Sequence, residues 1–101
     1  MTPKPPAPRR AVLPAGCNSL DRVYDVLARD LGLPAHFGRN LDALYDVLTG
    51  DVEGPFTILV EDAKALERAL GAKGPAFLKL LRDVGKSRKD AKIVLGAGAT
   101  R

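Results

Sequence analysis

Apolar residues recur at helical spacing in the first half of the chain. Ser19 is a helix N-cap residue, and Gly32 and Pro34 are typical of the end of a helix. Between them, apolar side chains follow at intervals of three, four and seven, at Leu20, Val23, Tyr24, Leu27 and Leu31. This pattern predicts an amphipathic helix with one face in the core.

A second, shorter helix is predicted directly after a loop that spans residues 33–39. Asn40 can cap it, and Gly50 is expected to close it. Its apolar side chains, Leu41, Leu44 and Leu48, form one stripe. Its polar side chains, Asp42, Asp46 and Thr49, form a second, acidic stripe, and Tyr45 lies between the two.

Strand-like and helical patterns alternate in the rest of the chain. Short strands are predicted over 10–13 and 91–95, and the continuous apolar run 55–60 is typical of a strand buried on both faces. Asp62 can cap a helix over 63–70 that ends at Gly71, and Pro75 can open a helix over 75–84 that ends at Gly85.

The resulting order, β-α-α-β-α-α-β, indicates the α/β class. Helical crossovers favour parallel neighbours, so we expect a small, mostly parallel three-stranded sheet packed by about four helices. One domain is expected over residues 10–95. Residues 1–9 read as a proline-rich, basic, disordered arm, and residues 96–101 as a flexible tail.

Composition limits the remaining possibilities. The chain has 101 residues, 46% of them hydrophobic, which suits one modest core. Its single cysteine, Cys17, cannot form an internal disulfide, as expected in a reducing compartment. No apolar run is long enough to span a membrane, and the start lacks the apolar centre of a signal peptide. We therefore expect a cytoplasmic protein.

The net charge of +4 is unevenly distributed, with basic ends and an acidic middle. A nucleic-acid-binding module would use the arm and the basic loop 86–92, but no aromatic residue is interleaved there for base stacking. An enzyme would use Asp42, Asp46 and His36, yet no motif for a nucleophile, a phosphate loop or a metal site is present. No catalytic residue, metal or cofactor is predicted.

The acidic pair of the second helix has a physical cost. Asp42 and Asp46 lie one turn apart, and like charges at this spacing destabilise an isolated helix by about 0.2–0.5 kcal/mol. A cation would relieve this repulsion. It can come from Arg39, from a lysine elsewhere in the fold or from a partner, or the pair can simply face solvent.

The stretch from His36 to Gly50 resembles the barstar family, intracellular inhibitors of barnase-type ribonucleases. The resemblance rests on Gly38, on Asn40-Leu41-Asp42-Ala43-Leu44 and on Asp46-Val47-Leu48-Thr49-Gly50, and the order of elements agrees over residues 10–95. It implies that the second helix and the preceding loop plug the active site of a basic, extracellular, barnase-like ribonuclease or a related nuclease toxin, with 1:1 stoichiometry.

The resemblance also implies roles for individual residues. Asp46 takes the place of the aspartate that mimics an RNA phosphate, Asp42 is the neighbouring acidic contact and Asp83 an outlying one. The other residues expected at the partner-binding site lie in the loop and the helix: His36, Phe37, Gly38, Arg39, Asn40, Leu41, Tyr45 and Thr49.

Several of these positions depart from the family pattern. His36 and Phe37 replace two loop tyrosines, Tyr45 replaces a tryptophan, Arg39 replaces a glutamate, and the shorter Asp83 replaces another glutamate. Arg39 reverses a charge at the edge of the expected interface, so these changes bear on the identity of the target more than on the mode of binding.

Overall fold

The computed structural model describes residues 9–97, which form an α/β fold with three strands and four α-helices. The predicted fold class is confirmed. A π-helical turn, Val47–Asp51, continues α2, and a 3-10 turn, Gly71–Lys73, precedes α4. The elements in chain order are β1 Arg9–Leu13, α1 Leu20–Leu31, α2 Leu41–Asp46, β2 Phe56–Val60, α3 Ala63–Ala69, α4 Gly74–Ser87 and β3 Ala91–Leu95.

The sheet is parallel throughout, with strand order β1-β2-β3. Helix α1 packs against β1 and α4 packs against β3. The prediction that β2 is buried on both faces is wrong, because Phe56, Ile58 and Val60 are buried whereas Thr57 and Leu59 are only half-buried. The helices cover one face of the sheet. We call the other the outer face, formed by Arg10, Val12, Thr57, Leu59, Lys92 and Val94.

Side-chain caps start three of the helices, as predicted. Ser19 accepts a hydrogen bond from the Arg22 amide at 3.2 Å, and Asp62 accepts one from the Ala65 amide at 3.0 Å. Asn40 caps α2 in the same way. These caps satisfy amide groups that the first helical turn leaves without a partner. Gly32 ends α1 with a φ of 69°, which glycine adopts at little cost.

The second helix ends differently from the prediction. Gly50 does not close it, because the chain continues through the π-helical turn Val47–Asp51 and becomes extended at Val52. Nη1 of Arg88 donates hydrogen bonds to the carbonyl oxygens of Leu48 at 3.0 Å and Val52 at 2.6 Å. A side chain 40 positions along the sequence therefore holds the end of this segment.

The fourth helix extends past its predicted end. It begins at Gly74 and continues to Ser87, so Gly85 lies inside it. A Cβ at Gly85 would lie 3.2 Å from Cγ1 of Ile93, and the missing side chain thus allows α4 to approach β3 closely. The third helix ends one residue early, at Ala69, and Gly71 follows with a φ of 66°.

The ends of the described chain are attached to the sheet. Arg9 was assigned to the arm but begins β1, where its amide donates to the Pro55 carbonyl at 3.2 Å. Gly96 was assigned to the tail, but its amide donates to the Val60 carbonyl at 2.7 Å, and Ala97 forms a bridge with Asp62. The remaining predictions for the arm, residues 1–8, and the tail, residues 98–101, lie outside the described residues.

Candidate functional site

Helix α2 is fixed to the protein by its cap and its apolar stripe. Oδ1 of Asn40 accepts a hydrogen bond from the Ala43 amide at 2.8 Å, and Nδ2 donates to the Gly38 carbonyl at 3.2 Å. Leu44 and Leu48 are fully buried, and Leu41 is half-buried. With this face in the core, the helix presents its acidic face, Asp42 and Asp46, to solvent.

No cation of residues 9–97 forms an ion pair with Asp42 or Asp46 of the acidic face. The ion pairs of this region involve other carboxylates, at Asp21, Asp25, Asp30, Glu53, Asp83 and Asp90. Of the alternatives open from the sequence, an ion pair with Arg39 or a lysine does not occur in residues 9–97, and the two aspartates face solvent. Asp42 and Asp46 remain two exposed like charges one turn apart, open to an external cation.

A groove of about 590 Å³ lies between α2 and α4, beside the acidic face. Its polar side chains include three carboxylates and the ammonium group of Lys79. Nζ of Lys79 donates a hydrogen bond to the Asp83 carboxylate at 2.9 Å. Tyr45 spans the gap, with its hydroxyl 3.0 Å from that of Ser87. The groove is lined by Leu41, Asp42, Tyr45, Asp46, Ala76, Lys79, Leu80 and Asp83.

The loop before α2 is anchored to α1. Phe37 is half-buried, and its ring meets the edge of the Tyr24 ring at a centroid distance of 5.3 Å. Its amide also donates to the Pro34 carbonyl at 3.0 Å. His36, one position earlier, is exposed. The imidazole of His36 is thus presented to solvent from a loop backbone that is restrained at Phe37.

Arg39 faces away from the acidic face. Its Nη2 donates to the Asp21 carbonyl at 3.2 Å, to the Asp21 carboxylate at 3.3 Å and to the Asp25 carboxylate at 3.1 Å. The hydrogen bonds to the two carboxylates raise the pKa of the Arg39 guanidinium, and the bond to the Asp21 carboxylate has the larger effect. Burial raises the pKa of Tyr24, whose ring centroid is 5.5 Å from the guanidinium carbon.

Two of the predicted site residues have other roles or partners. The Thr49 hydroxyl donates to the Tyr45 carbonyl of its own helical segment at 2.7 Å, so it is engaged by the backbone. Asp83, predicted as an outlying acidic contact with the partner, lines the groove and pairs with Lys79. The structure therefore groups Leu41, Asp42, Tyr45, Asp46 and Asp83 around the groove. The loop 33–39 directly precedes α2 in the sequence.

Apart from Asp83, the residues on the α4 side of the groove were not predicted from the sequence. Ala76, Lys79 and Leu80 line it, and Ser87 bonds to Tyr45 across it. The available signal was the spacing of positions 76, 80, 83 and 87, which recur at three and four residues on one helix face. Sequence spacing alone did not show that this face lies beside α2.

The predicted basic loop 86–92 is shorter in the structure, because α4 continues to Ser87 and β3 begins at Ala91, so residues 88–90 alone connect them. The Arg88 side chain is only 16% exposed and forms a bidentate ion pair with Asp90. Nε donates to Oδ1 of Asp90 at 2.9 Å, and Nη2 donates to Oδ2 at 2.8 Å. The hydrogen bonds from Arg88 lower the pKa of the Asp90 carboxyl. The cation at the centre of the alternative nucleic-acid surface is thus engaged within the fold.

Other chemistry finds no geometric support in the described residues. Cys17 is buried, and burial raises the pKa of its thiol, the opposite of what a reactive thiolate needs. No group of three His, Cys, Asp or Glu side chains in residues 9–97 is arranged to hold a metal ion. No helix of this region has the length and apolar character needed to cross a bilayer.

Comparison with known proteins shows the family of the chain. Residues 10–97 match the family described as Barstar (barnase inhibitor). The chain is also 32% identical over 78 residues to the Bacillus subtilis (strain 168) protein named "Putative ribonuclease inhibitor YrdF", across 76% of this chain and 86% of that protein. The family match covers β1, the loop, α2 and α4. The chain therefore belongs to the barstar family, whose members are inhibitors and not enzymes.

Proposed function

We propose that this protein inhibits a basic, secreted ribonuclease by inserting the acidic face of α2 and the preceding loop into the active site. The observation that carries the proposal is that Asp42 and Asp46 are exposed, one turn apart and without a cationic partner in residues 9–97. The target is a barnase-like enzyme or a related nuclease toxin, bound 1:1. The inhibitor acts in the cytoplasm of the cell that makes the nuclease.

The carboxylates compete with RNA for the same cationic groups. A ribonuclease needs lysine, arginine or histidine side chains to hold phosphate, and those groups form short, charge-assisted hydrogen bonds with carboxylates. Asp46 takes the central phosphate-like position, and Asp42 provides the contact one turn earlier. Binding also removes the repulsion between these two aspartates, because each gains a cation from the enzyme.

Rigid neighbours support this role. Leu44 and Leu48 are fully buried and hold the helix backbone, so little backbone freedom near the carboxylates is lost on binding. Leu41 and Tyr45 offer apolar surface beside them in the groove. Asp83 adds a third carboxylate from α4, which can exchange its bond with Lys79 for one with the enzyme.

The loop contributes shape and contact area. Asn40 bonds to both Gly38 and Ala43 and so fixes the entry to the helix. Exposed His36 and half-buried Phe37 are placed to contact the rim of the enzyme cleft. Thr49 lies at the other end of the helical segment, where its contact with the enzyme is limited by its hydrogen bond to the backbone.

A titration of RNA cleavage tests the proposal. The probe enzymes are purified barnase and the ribonuclease captured on the immobilised protein from the medium of the source cells. We expect cleavage to stop at one inhibitor per enzyme. Asp46→Asn keeps the shape of the side chain and removes its charge, so it should weaken inhibition by about 10- to 150-fold, the value of one charge-assisted hydrogen bond.

Glu67→Gln provides a matched control, because it removes a carboxylate from α3, outside the groove. It should leave the inhibition constant within about twofold, as expected for a distant surface change. Equal inhibition by the wild type and a folded Asp42→Asn, Asp46→Asn double variant would disprove the proposed site.

A further inference from the structure

Arg39 occupies an unusual position at the start of the acidic helix. Its φ of 52° lies in the left-handed region, which is uncommon for residues other than glycine. Its side chain extends from the loop to α1, where Nη2 lies 3.1 Å from the Asp25 carboxylate and 3.3 Å from the Asp21 carboxylate. A basic residue only three positions before Asp42 is thus held on a different helix.

The face of α1 that receives Arg39 also receives Phe37 of the same loop. Asp21, Tyr24 and Asp25 are three and four residues apart and share one side of the helix. The Tyr24 ring contacts the guanidinium of Arg39 at 5.5 Å and the ring of Phe37 at 5.3 Å. Two points of the loop therefore rest on the same tyrosine, with the two aspartates beside it.

We propose that Arg39 is a positioning residue: it clips the loop 33–39 to α1 in the free protein and thereby sets the conformation that the ribonuclease meets. Its effect on inhibition rests on the function proposed above, whereas the clip itself is a property of the free protein. The guanidinium acts on α1, and contact with the enzyme is left to the other loop residues.

Two physical effects follow from the clip. A loop that is already ordered loses less conformational entropy when it binds, so a larger part of the contact energy appears as affinity. The two aspartates of α1 also hold a positive charge away from the acidic face. A released Arg39 would be free to approach Asp42 and would compete with the cations of the enzyme.

Hydrogen exchange in the free protein tests the clip. The reporter is the amide of Phe37, which is bonded to the Pro34 carbonyl at 3.0 Å. Arg39→Gln should speed its exchange by about fivefold, in the range that exposed ion pairs provide. The Asp21→Asn, Asp25→Asn double variant should also speed this exchange, because it removes both ion pairs and leaves Arg39 only its bond to the Asp21 carbonyl and its contact with the Tyr24 ring.

The triple variant should exchange no faster than Arg39→Gln, because Arg39→Gln already removes the ion pairs that the aspartate substitutions remove. The matched control is Arg22→Gln, which removes an exposed guanidinium from the same helix. It should leave the Phe37 amide unchanged. The amide of Leu44, bonded to the Asn40 carbonyl at 2.8 Å, reports whether α2 stays folded.

Inhibition of barnase and of the captured ribonuclease by the same variants completes the test. We expect Arg39→Gln to weaken inhibition by about three- to tenfold, and the double aspartate variant to weaken it at least as much, because it also frees the guanidinium to approach Asp42. The triple variant, which lacks that guanidinium, should match Arg39→Gln. Unchanged exchange at Phe37 in Arg39→Gln would overturn the proposal. Weaker inhibition in Arg39→Gln but not in the double aspartate variant would also overturn it, because this would mean that Arg39 contacts the enzyme directly. Faster exchange at Phe37 with undiminished inhibition would overturn it as well.

The two proposals fail in different ways. If the wild type inhibits neither ribonuclease, the proposed function is wrong, while the exchange data still decide whether Arg39 orders the loop. If the wild type inhibits and the variants do not differ from it, only the positioning role is wrong.

Discussion

Removal of the Arg88 side chain should destabilise the protein strongly, although the residue lies in a basic surface loop. Its Nη1 supplies hydrogen bonds to two main-chain carbonyls, those of Leu48 and Val52, that close the π-helical turn after α2. The guanidinium carbon also lies 5.1 Å from the centroid of the buried Phe56 ring. Arg88→Ala leaves both carbonyls without this donor.

The magnitude follows from these contacts. A hydrogen bond that involves a charged group contributes about 1.5–3 kcal/mol. Both bonds come from one nitrogen, and water can reach part of the vacated site, so we expect a loss of about 2–4 kcal/mol in total. For a chain of 101 residues with a urea m value of about 1.5 kcal/mol/M, the unfolding midpoint falls by about 1.3–2.7 M.

Urea unfolding followed by circular dichroism provides the assay. Arg88→Lys should fall between the wild type and Arg88→Ala, because an ammonium group keeps the charge but lacks the planar fork that also pairs with Asp90. The control is Lys89→Ala, an exposed neighbour, which should stay within about 0.5 kcal/mol of the wild type. A loss below about 0.5 kcal/mol in Arg88→Ala would refute the structural role assigned to this arginine.

Three further predictions concern the rest of the fold. The pKa of Asp90 lies below its ordinary value of 3.8, so the stability that Asp90 contributes is present above pH 3.8 and is lost as the pH falls through the lowered pKa. The acid unfolding of Asp90→Asn should therefore be less steep than that of the wild type. Gly74→Ala should destabilise the protein measurably in thermal unfolding, because its Cβ would overlap the Glu67 carbonyl oxygen, whereas Gly50→Ala, with no atom within 4 Å of its Cβ, should raise stability by about 0.4–1 kcal/mol. Cys17 should react with iodoacetamide at pH 8 at least about tenfold more slowly in the native protein than in urea, because it is buried and its thiol pKa is raised; equal rates would contradict this burial.

Local chemistry was readable from the sequence because its partners lie close along the chain. Ser19, Asn40 and Asp62 cap amides three residues ahead, and Gly32 supplies a left-handed residue at a helix end. Interactions of this kind depend little on the remaining fold. The starts of three helices, the end of α1 and the α/β order were therefore predictable.

The errors arose where distant residues decide the local structure. Gly85 resembles a helix terminator, but close packing of α4 on Ile93 keeps it within the helix. Gly50 resembles another, but Arg88 extends the segment beyond it. The apolar run in β2 did not reveal that helices cover only one face of the sheet. Tertiary contacts outweigh single-residue preferences at all three places.

The candidate site shows the same division. The acidic face follows from helical spacing, and the structure places it on the surface. The direction of Arg39 did not follow, because its partners Asp21 and Asp25 are 18 and 14 positions away. The family resemblance implied a charge reversal by Arg39 at the interface edge, whereas the Arg39 side chain lies on α1.

An amide-exchange footprint of the protein, free and in complex with the captured ribonuclease, would test the central claim most directly. The account predicts added protection in residues 36–49 and near Asp83, with no change on the outer face at Arg10 and Lys92. Protection confined to the outer face or to the loop 86–92, with the acidic face still exchanging freely, would contradict the assignment of α2 as the inhibitory element.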